Sequence, residues 1–313
     1  MAEPSSTQDA TAGPLPGAET RLRTAEQAEN FPVALRILPA RLRTRLRAVY
    51  DVVRTIDDLG DESTGDRLSE LHAFSDDLAA VWKRDGPGPR APVLQRLVPV
   101  ARDGGLPREP FDRLIAANLQ DQEVMRYATW DDLIGYCRLS ADPIGRLVLA
   151  IFEVDAPPGS AVERGSDQVC TALQLLEHWQ DVAEDRDRGR VYLPIEDLER
   201  FGITISSDVV SSSVDDARLN VGDLGAARTP PALRRLIAHE TARAVALLDQ
   251  GAAAMSGTLH GWARLAVAGY VAGGRAAADA LRRAEWDVLA GSPAARRRDV
   301  VRHLVPDLIR STL

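Results

Sequence analysis

Two stretches of this chain concentrate carboxylates in patterns suited to a hard cation. The first, VYDVVRTIDDLGDE from Val49 to Glu62, places five acids among fourteen residues. At the helical angle of about 100° per residue, Tyr50, Arg54, Asp57, Asp58 and Asp61 fall in one arc, and Val49, Val52, Val53 and Ile56 fall away from it. Asp57 and Asp61 lie one turn apart, so their carboxylates converge. Magnesium takes oxygen ligands, keeps several waters and adds substrate phosphates, so such a pair suits a diphosphate substrate. The competing reading is a solvated helix face on which Arg54 pairs with Asp57 or Asp58.

The second stretch, LQLLEHWQDVAEDRDRGRVYLP, runs from Leu173 to Pro194. Gln174, Glu177, Asp181 and Asp185 form a narrow stripe on the wheel, with His178 at its edge and Leu173, Leu176, Trp179 and Val182 mostly elsewhere. Arg186, Arg188, Arg190 and Tyr192 follow. Like charges are costly to bury inside a bundle, and a bound divalent cation removes that cost. Two acidic helices, each with Arg and Tyr nearby, favour a metal site over two unrelated surface stripes. A di-iron bundle would use Glu-x-x-His on paired helices, whereas Glu177 and His178 are adjacent. Ser–His–Asp and Cys–His catalysis have no support, because His72, His239, His260 and His303 read as ordinary helix positions.

The elements that must carry these residues are helices. Ala, Leu, Arg and Glu dominate, and alternation of β-branched residues is scarce. The pattern predicts helices near 42–60, 66–84, 92–103, 109–126, 130–153, 162–186, 231–255 and 260–286, and a short one after Pro293. Pro107, Pro110, Pro157, Pro158, Pro194, Pro230 and Pro231 punctuate it. Residues 202–230 read as one long irregular insert, a surface loop or a lid. The expected fold is all-α, a single helical bundle around a central cavity, spanning 21–313 after a disordered tail over 1–20. At 313 residues with 45% hydrophobic content the core is sizeable, yet no run is long enough for a membrane helix. The start lacks the layout of a secretory signal. Cys137 and Cys170 match no zinc or disulfide spacing, which fits a reducing cytoplasm. A formal charge of −8 disfavours nucleic acid. No glycine fingerprint for a dinucleotide occurs, so no NADPH step is expected.

YDVVRTIDDLGDE and QDVAEDRDRGRVYLP resemble the paired aspartate-rich motifs of the squalene and phytoene synthases, and the match covers about Glu26 to Leu281. The resemblance implies an isoprenoid synthase fold in which two acidic helices face each other across a cavity and hold magnesium and diphosphate. ENFPVALRILP (Glu29–Pro39), RYATWDDLIGYCRLSADPIGRLVL (Arg126–Leu149) and EHWQDVAEDRDRGRVYLP are similar to the bacterial HpnC-type branch in its actinobacterial form. That likeness implies a hydroxysqualene synthase activity: presqualene diphosphate loses diphosphate, and water quenches the rearranged carbocation. The alternatives are condensation of two farnesyl or geranylgeranyl diphosphates, and an inactive pathway scaffold.

Carried over by the same resemblance, Asp57, Asp58, Asp61, Asp181 and Asp185 are metal ligands, with Glu177 where the family usually has Asn, and roughly two or three magnesium ions are implied. Tyr50 and Arg54 line the diphosphate end. Arg190 and Tyr192 close over it, and Gln180 replaces a common Arg. Phe31 lies near a prenyl site, and Gln174 faces the cavity. Tyr136 offers a π face or phenol oxygen to the cation. Ala141 and Gly145, flanking a kink at Pro143, leave room for a long chain, or else simply pack there. Ser140 or Asp142 is a candidate holder of the quenching water. Expected partners are a prenyl diphosphate substrate, an upstream presqualene diphosphate synthase and a downstream flavin-dependent oxidoreductase. RRRDVVRHLVPDLIRSTL (Arg296–Leu313) is a candidate for transient membrane contact at the inner face, or a basic solvated helix end.

Overall fold

In the computed structural model, residues 38–203 and 222–310 are described. The chain divides into two compact units between Leu38 and Pro39, and nearly all the described residues belong to the second. Phe31, the tail over 1–20 and the central part of the 202–230 insert lie outside the described residues.

The described part is helical. Its elements are α1 (Ala40–Asp61), α2 (Arg67–Ala79), α3 (Pro92–Gly104), α4 (Glu109–Gln120), α5 (Trp130–Ser140), α6 (Asp142–Ile151), α7 (Ala161–Gln180), α8 (Val182–Asp187), α9 (Ile195–Arg200), α10 (Pro231–Met255), α11 (Gly261–Arg283) and α12 (Arg297–Arg310). α1 buries Val49, Val52, Ile56 and Gly60, the stripe left by removing the polar arc. The 130–153 segment is two helices rather than one kinked helix. The chain bends at Ala141, and Pro143 sits in the first turn of α6, where its missing N–H costs nothing. The 162–186 segment likewise breaks at Asp181, whose φ of −102° and ψ of 18° end α7 before α8 begins. The short α9 within the Pro194 region was not expected from periodicity, because six residues give too little pattern.

α7 and α10 pair most extensively, and α6, α8 and α11 also pack on α7, while α1 packs on α3, α4 and α2. The α7–α10 crossing is a backbone contact. A Cβ on Gly165 would stand 2.8 Å from the Gly251 carbonyl oxygen, and one on Gly251 would stand 2.5 Å from that of Gly165. Only glycine permits so close an approach. One core cluster gathers Leu133, Leu175, Leu176, Trp179, Leu236 and Leu281, and a second gathers Val162, Val169, Leu248 and Met255. α7 contributes to both, so the helix carrying Gln174 and Glu177 is the central post of the bundle.

Candidate active site

The site forms where the C-terminal end of α1 meets α4 and the α8–Tyr192 segment. α1 approaches α4 closely because Gly60 has no side chain: a Cβ there would fall 2.1 Å from Asn118 Oδ1. In that contact Asn118 Nδ2 donates to Asp57 Oδ1 at 3.3 Å, and Gln122 Nε2 donates to the Gly60 carbonyl at 3.0 Å. Arg54 lies 2.9 Å from Asp58 and 3.2 Å from Glu62. Tyr50 is half-buried on the same helix.

Arg190 joins the two acidic segments. Its Nη2 donates to Asp61 Oδ1 at 3.0 Å, and it also reaches the Asp121 carbonyl at 3.5 Å. Asp121, capping α4, accepts from the Tyr136 hydroxyl at 2.8 Å. Arg190 is placed by its own backbone N–H, which donates to the Asp185 carbonyl at 2.9 Å, and by Val191, whose N–H reaches the Met125 carbonyl at 2.9 Å. The turn needs Gly189 at a φ of 83°, a left-handed position that suits glycine.

Behind Arg190 lies an aromatic wall. Tyr192 stacks on His178 with ring centroids 3.6 Å apart, and Tyr127 and Tyr136 pack on Tyr192 at 5.8 and 5.7 Å. Gln174 Nε2 lies 3.1 Å from His178 Nε2. With Gln174 donating there, Nδ1 carries the proton and faces Asp185 Oδ2 at 3.6 Å. His178, Asp185, Arg190, Tyr192, Val182 and Leu224 line a small recess. Leu224 belongs to the short 3₁₀ turn Gly222–Gly225, the described end of the irregular insert, so part of that insert touches the site.

Burial and crowding shift these groups. Desolvation raises Asp57 to about 6, against the pull of Asn118 and with the help of neighbouring Asp61. Desolvation raises Asp121 to about 6 as well, although Arg190 and Tyr136 oppose it. Burial pushes the Tyr136 and Tyr192 hydroxyls far up, so both stay protonated donors. Burial opposes the charge on Arg190, but Tyr192, Asp121 and Asp61 outweigh it and hold the guanidinium firmly ionised.

The residues expected from the sequence fall into three groups. Asp57, Asp58, Asp61, Arg54, Tyr136, Arg190, Tyr192, Asp185 and Gln174 are linked by the contacts above. Asp181 is at the α7–α8 break, with Ser292 Oγ donating to its Oδ1 at 2.5 Å, and Glu177 is exposed on the last turn of α7. Ala141 and Gly145 are buried at the α5–α6 bend, where a Cβ on Gly145 would meet Ser166 Oγ at 2.3 Å and Cys170 Sγ at 2.7 Å. Gly145 therefore serves close packing of α6 on α7. Sequence reasoning missed Asn118, Asp121, Gln122 and Tyr127. Asn118, Asp121 and Gln122 sit at i, i+3 and i+4, a one-face spacing that marks them out in a helix otherwise rich in Leu, Ile and Ala.

The donor set fits a divalent cation. It is built of carboxylate oxygens, as magnesium prefers. Asp57 is raised chiefly by burial, with Asp61 and Asp58 adding to the shift, and a cation would relieve both. Asp121 Oδ1 is buried without a hydrogen-bond partner among the described residues. A second ligand-type cluster, Asp197, His239 and Glu240, brings donor atoms within 4.8 Å of one another. There Arg243 already pairs with Asp197 at 2.8 Å and Glu240 at 3.3 Å, and burial lifts Glu240 to about 8, so a proton and a guanidinium supply the balance.

Known proteins resemble this chain over most of its length. The squalene/phytoene synthase family model matches residues 24–302. A hydroxysqualene synthase from Rhodopseudomonas palustris is 34% identical over 234 residues, 74% of this chain and 72% of that one. A phytoene synthase from Mycobacterium tuberculosis is 35% identical over 204 residues, 64% of each. The crystal structure of squalene synthase HpnC from Alicyclobacillus acidocaldarius superposes with a TM-score of 0.70 at 38% identity, covering 86% of this chain and 94% of that one. With that superposition and a family match over nearly its whole length, the chain belongs to the squalene/phytoene synthase family and has the helical isoprenoid synthase fold.

Proposed function

We propose that this enzyme converts presqualene diphosphate and water to hydroxysqualene and diphosphate. The observation that carries the reading is the reach of Arg190, from the second acidic segment, to Asp61 of the first. It puts a fixed cation and two sets of carboxylates at the mouth of an aromatic-walled recess. Asp57, Asp58, Asp61, Asp181 and Asp185, with Glu177 beside them, would hold magnesium. The chemistry a magnesium ion held there would supply is neutralisation of the charge on the leaving diphosphate. Arg54 and Arg190 donate to the departing oxygens. As the carbon–oxygen bond breaks, the electron pair leaves with diphosphate and a carbocation remains. Tyr136, Tyr192 and Tyr50 present ring faces to that charge. Asp121 fixes the Tyr136 hydroxyl, so the ring keeps one orientation. The apolar wall excludes bulk water until rearrangement is complete. One held water then forms the new carbon–oxygen bond and releases its proton.

Ser140 and Asp142 remain the proposed holders of that water, with Gln174, Ala141 and Gly145 toward the chain-binding end. Asp142 is buried, accepts from Thr171 Oγ1 at 2.8 Å and is raised to about 7 by desolvation. The substrate comes from a presqualene diphosphate synthase, and the product passes to a flavin-dependent oxidoreductase. No helix among the described residues is long and apolar enough to cross a membrane. Exposed Arg296, Arg297 and Arg298 beside exposed Val301 and Val305 support transient contact with an anionic lipid surface. The test is mass spectrometry of products from presqualene diphosphate with magnesium and no NADPH. Hydroxysqualene is the expected product. Consumption of farnesyl diphosphate alone would instead show a condensing enzyme.

A further inference from the structure

The segment between α11 and α12 reaches the second acidic motif from outside it. Its proximal end is fastened hard. The Asp287 carboxylate accepts from Thr229 N at 3.1 Å, from Thr229 Oγ1 at 2.8 Å and from Arg234 at 2.6 Å. Thr229 Oγ1 in turn accepts from Val288 N at 2.9 Å and Leu289 N at 3.0 Å. Its distal end is fastened through α12, where Asp299 pairs with Arg283 at 2.7 Å and His303 reaches Asp279 at 2.8 Å. Between these anchors, residues 290–296 are irregular and mostly exposed. The side-chain ties of that span among the described residues run to the acidic segment: Ser292 Oγ donates to Asp181 Oδ1 at 2.5 Å, and Gln180 Nε2 donates to the Pro293 carbonyl. Glu285 and Trp286, leading into it, hold φ values of 52° and 55°, a left-handed conformation that non-glycine residues adopt only when their surroundings impose it.

We propose that residues 290–296 are a strap that competes with a divalent cation for Asp181, with Ser292 and Gln180 as its positioning residues. The proposal rests on the reading that Asp181 is a cation ligand. A lone pair of Asp181 Oδ1 is taken by the Ser292 hydroxyl, so a cation that approaches Asp181 from the side the strap covers displaces the hydroxyl. Gln180 is adjacent in sequence and carries no charge. It keeps hold of the Pro293 carbonyl, so the strap loosens at Ser292 without leaving the site. Both ends being anchored, a change at Asp181 is transmitted to α12 on one side and to the start of α10 on the other.

The experiment measures manganese(II) binding with inorganic pyrophosphate by isothermal titration and by electron paramagnetic resonance, on the full chain without prenyl substrate. Ser292→Ala should bind manganese at least about tenfold more tightly, the scale of one lost hydrogen bond to a charged acceptor. In the unsubstituted protein, manganese with pyrophosphate should speed tryptic cleavage at exposed Arg296, and Gln180→Ala should make that cleavage fast with or without metal. Equal or weaker binding by Ser292→Ala, or cleavage at Arg296 that ignores manganese, overturns the strap. Asp181→Asn separates this from the underlying reading: if that variant binds manganese like the parent, Asp181 is no ligand and the site assignment itself fails.

Discussion

Replacing Asp57 by Asn should make the metal-free protein more stable at neutral pH. Asp57 is held at about 6 rather than the ordinary 3.8, chiefly by desolvation. A shift of about two units corresponds to ~3 kcal/mol between the protonated and ionised forms. The sign follows from the direction of the shift. A raised carboxyl contributes stability that is fully present below about 3.8 and is lost as pH rises through about 6. Asn stays neutral throughout and keeps an oxygen for Asn118 Nδ2. The variant and the parent should therefore unfold together near pH 4. They should separate above pH 6, with the variant higher by up to ~3 kcal/mol, or roughly 5 °C in Tm for a chain of this size. Magnesium with pyrophosphate should raise the parent's Tm at pH 7.5 and leave the variant's nearly unchanged. Thermal unfolding by circular dichroism between pH 4 and 8, with and without metal, reads both effects. A parent at least as stable as Asp57→Asn at pH 7.5 without metal would refute the argument that the acidic cluster is strained until cations arrive.

Gly60→Ala should lower stability by about 1–3 kcal/mol in urea unfolding and weaken manganese binding, because the new Cβ displaces Asn118 from Asp57. Arg190→Lys keeps the charge but loses the planar guanidinium, whose Nη2 ties Asp61 to the Asp121 carbonyl while its other donors would face the departing diphosphate, and kcat/KM on presqualene diphosphate should fall about 100-fold. Glu240→Gln should match the parent near pH 4 and become progressively more stable than it as pH rises from about 4.5 to about 8, because burial keeps Glu240 protonated in the folded chain over that window while the unfolded chain ionises it. Thr229→Val should cost about 2 kcal/mol in chemical denaturation, since it leaves Asp287, Val288 N and Leu289 N short of partners.

The long helices were legible because each buries a stripe at helical spacing. Val49, Val52 and Ile56 lead directly to α1, and Pro231 to Met255 is bounded as the periodicity predicts. Breaks were harder. Asp181 and Ala141 sit inside unbroken helical patterns; Pro143 accounts for the fresh start of α6, and no residue type marks the break at Asp181. The acids of both motifs stood out by spacing alone, but their partners did not. Asn118, Asp121 and Gln122 acquire meaning only when Gly60 lets α4 come close. Ser292 lies 111 positions from Asp181, beyond the reach of any local pattern.

The glycine crossing of α7 and α10 has a consequence for how this enzyme can change. Each glycine faces the other's carbonyl oxygen, which no rotamer change can move, with Val169, Ala254 and Met255 crowding the same joint. A substitution at Gly165 or Gly251 must drive two whole helices apart, carrying Gln174, His178 and Asp181 with them. Variants selected in the laboratory for a shorter or longer isoprenoid should therefore accumulate changes along α5 and α6, and leave this pivot untouched.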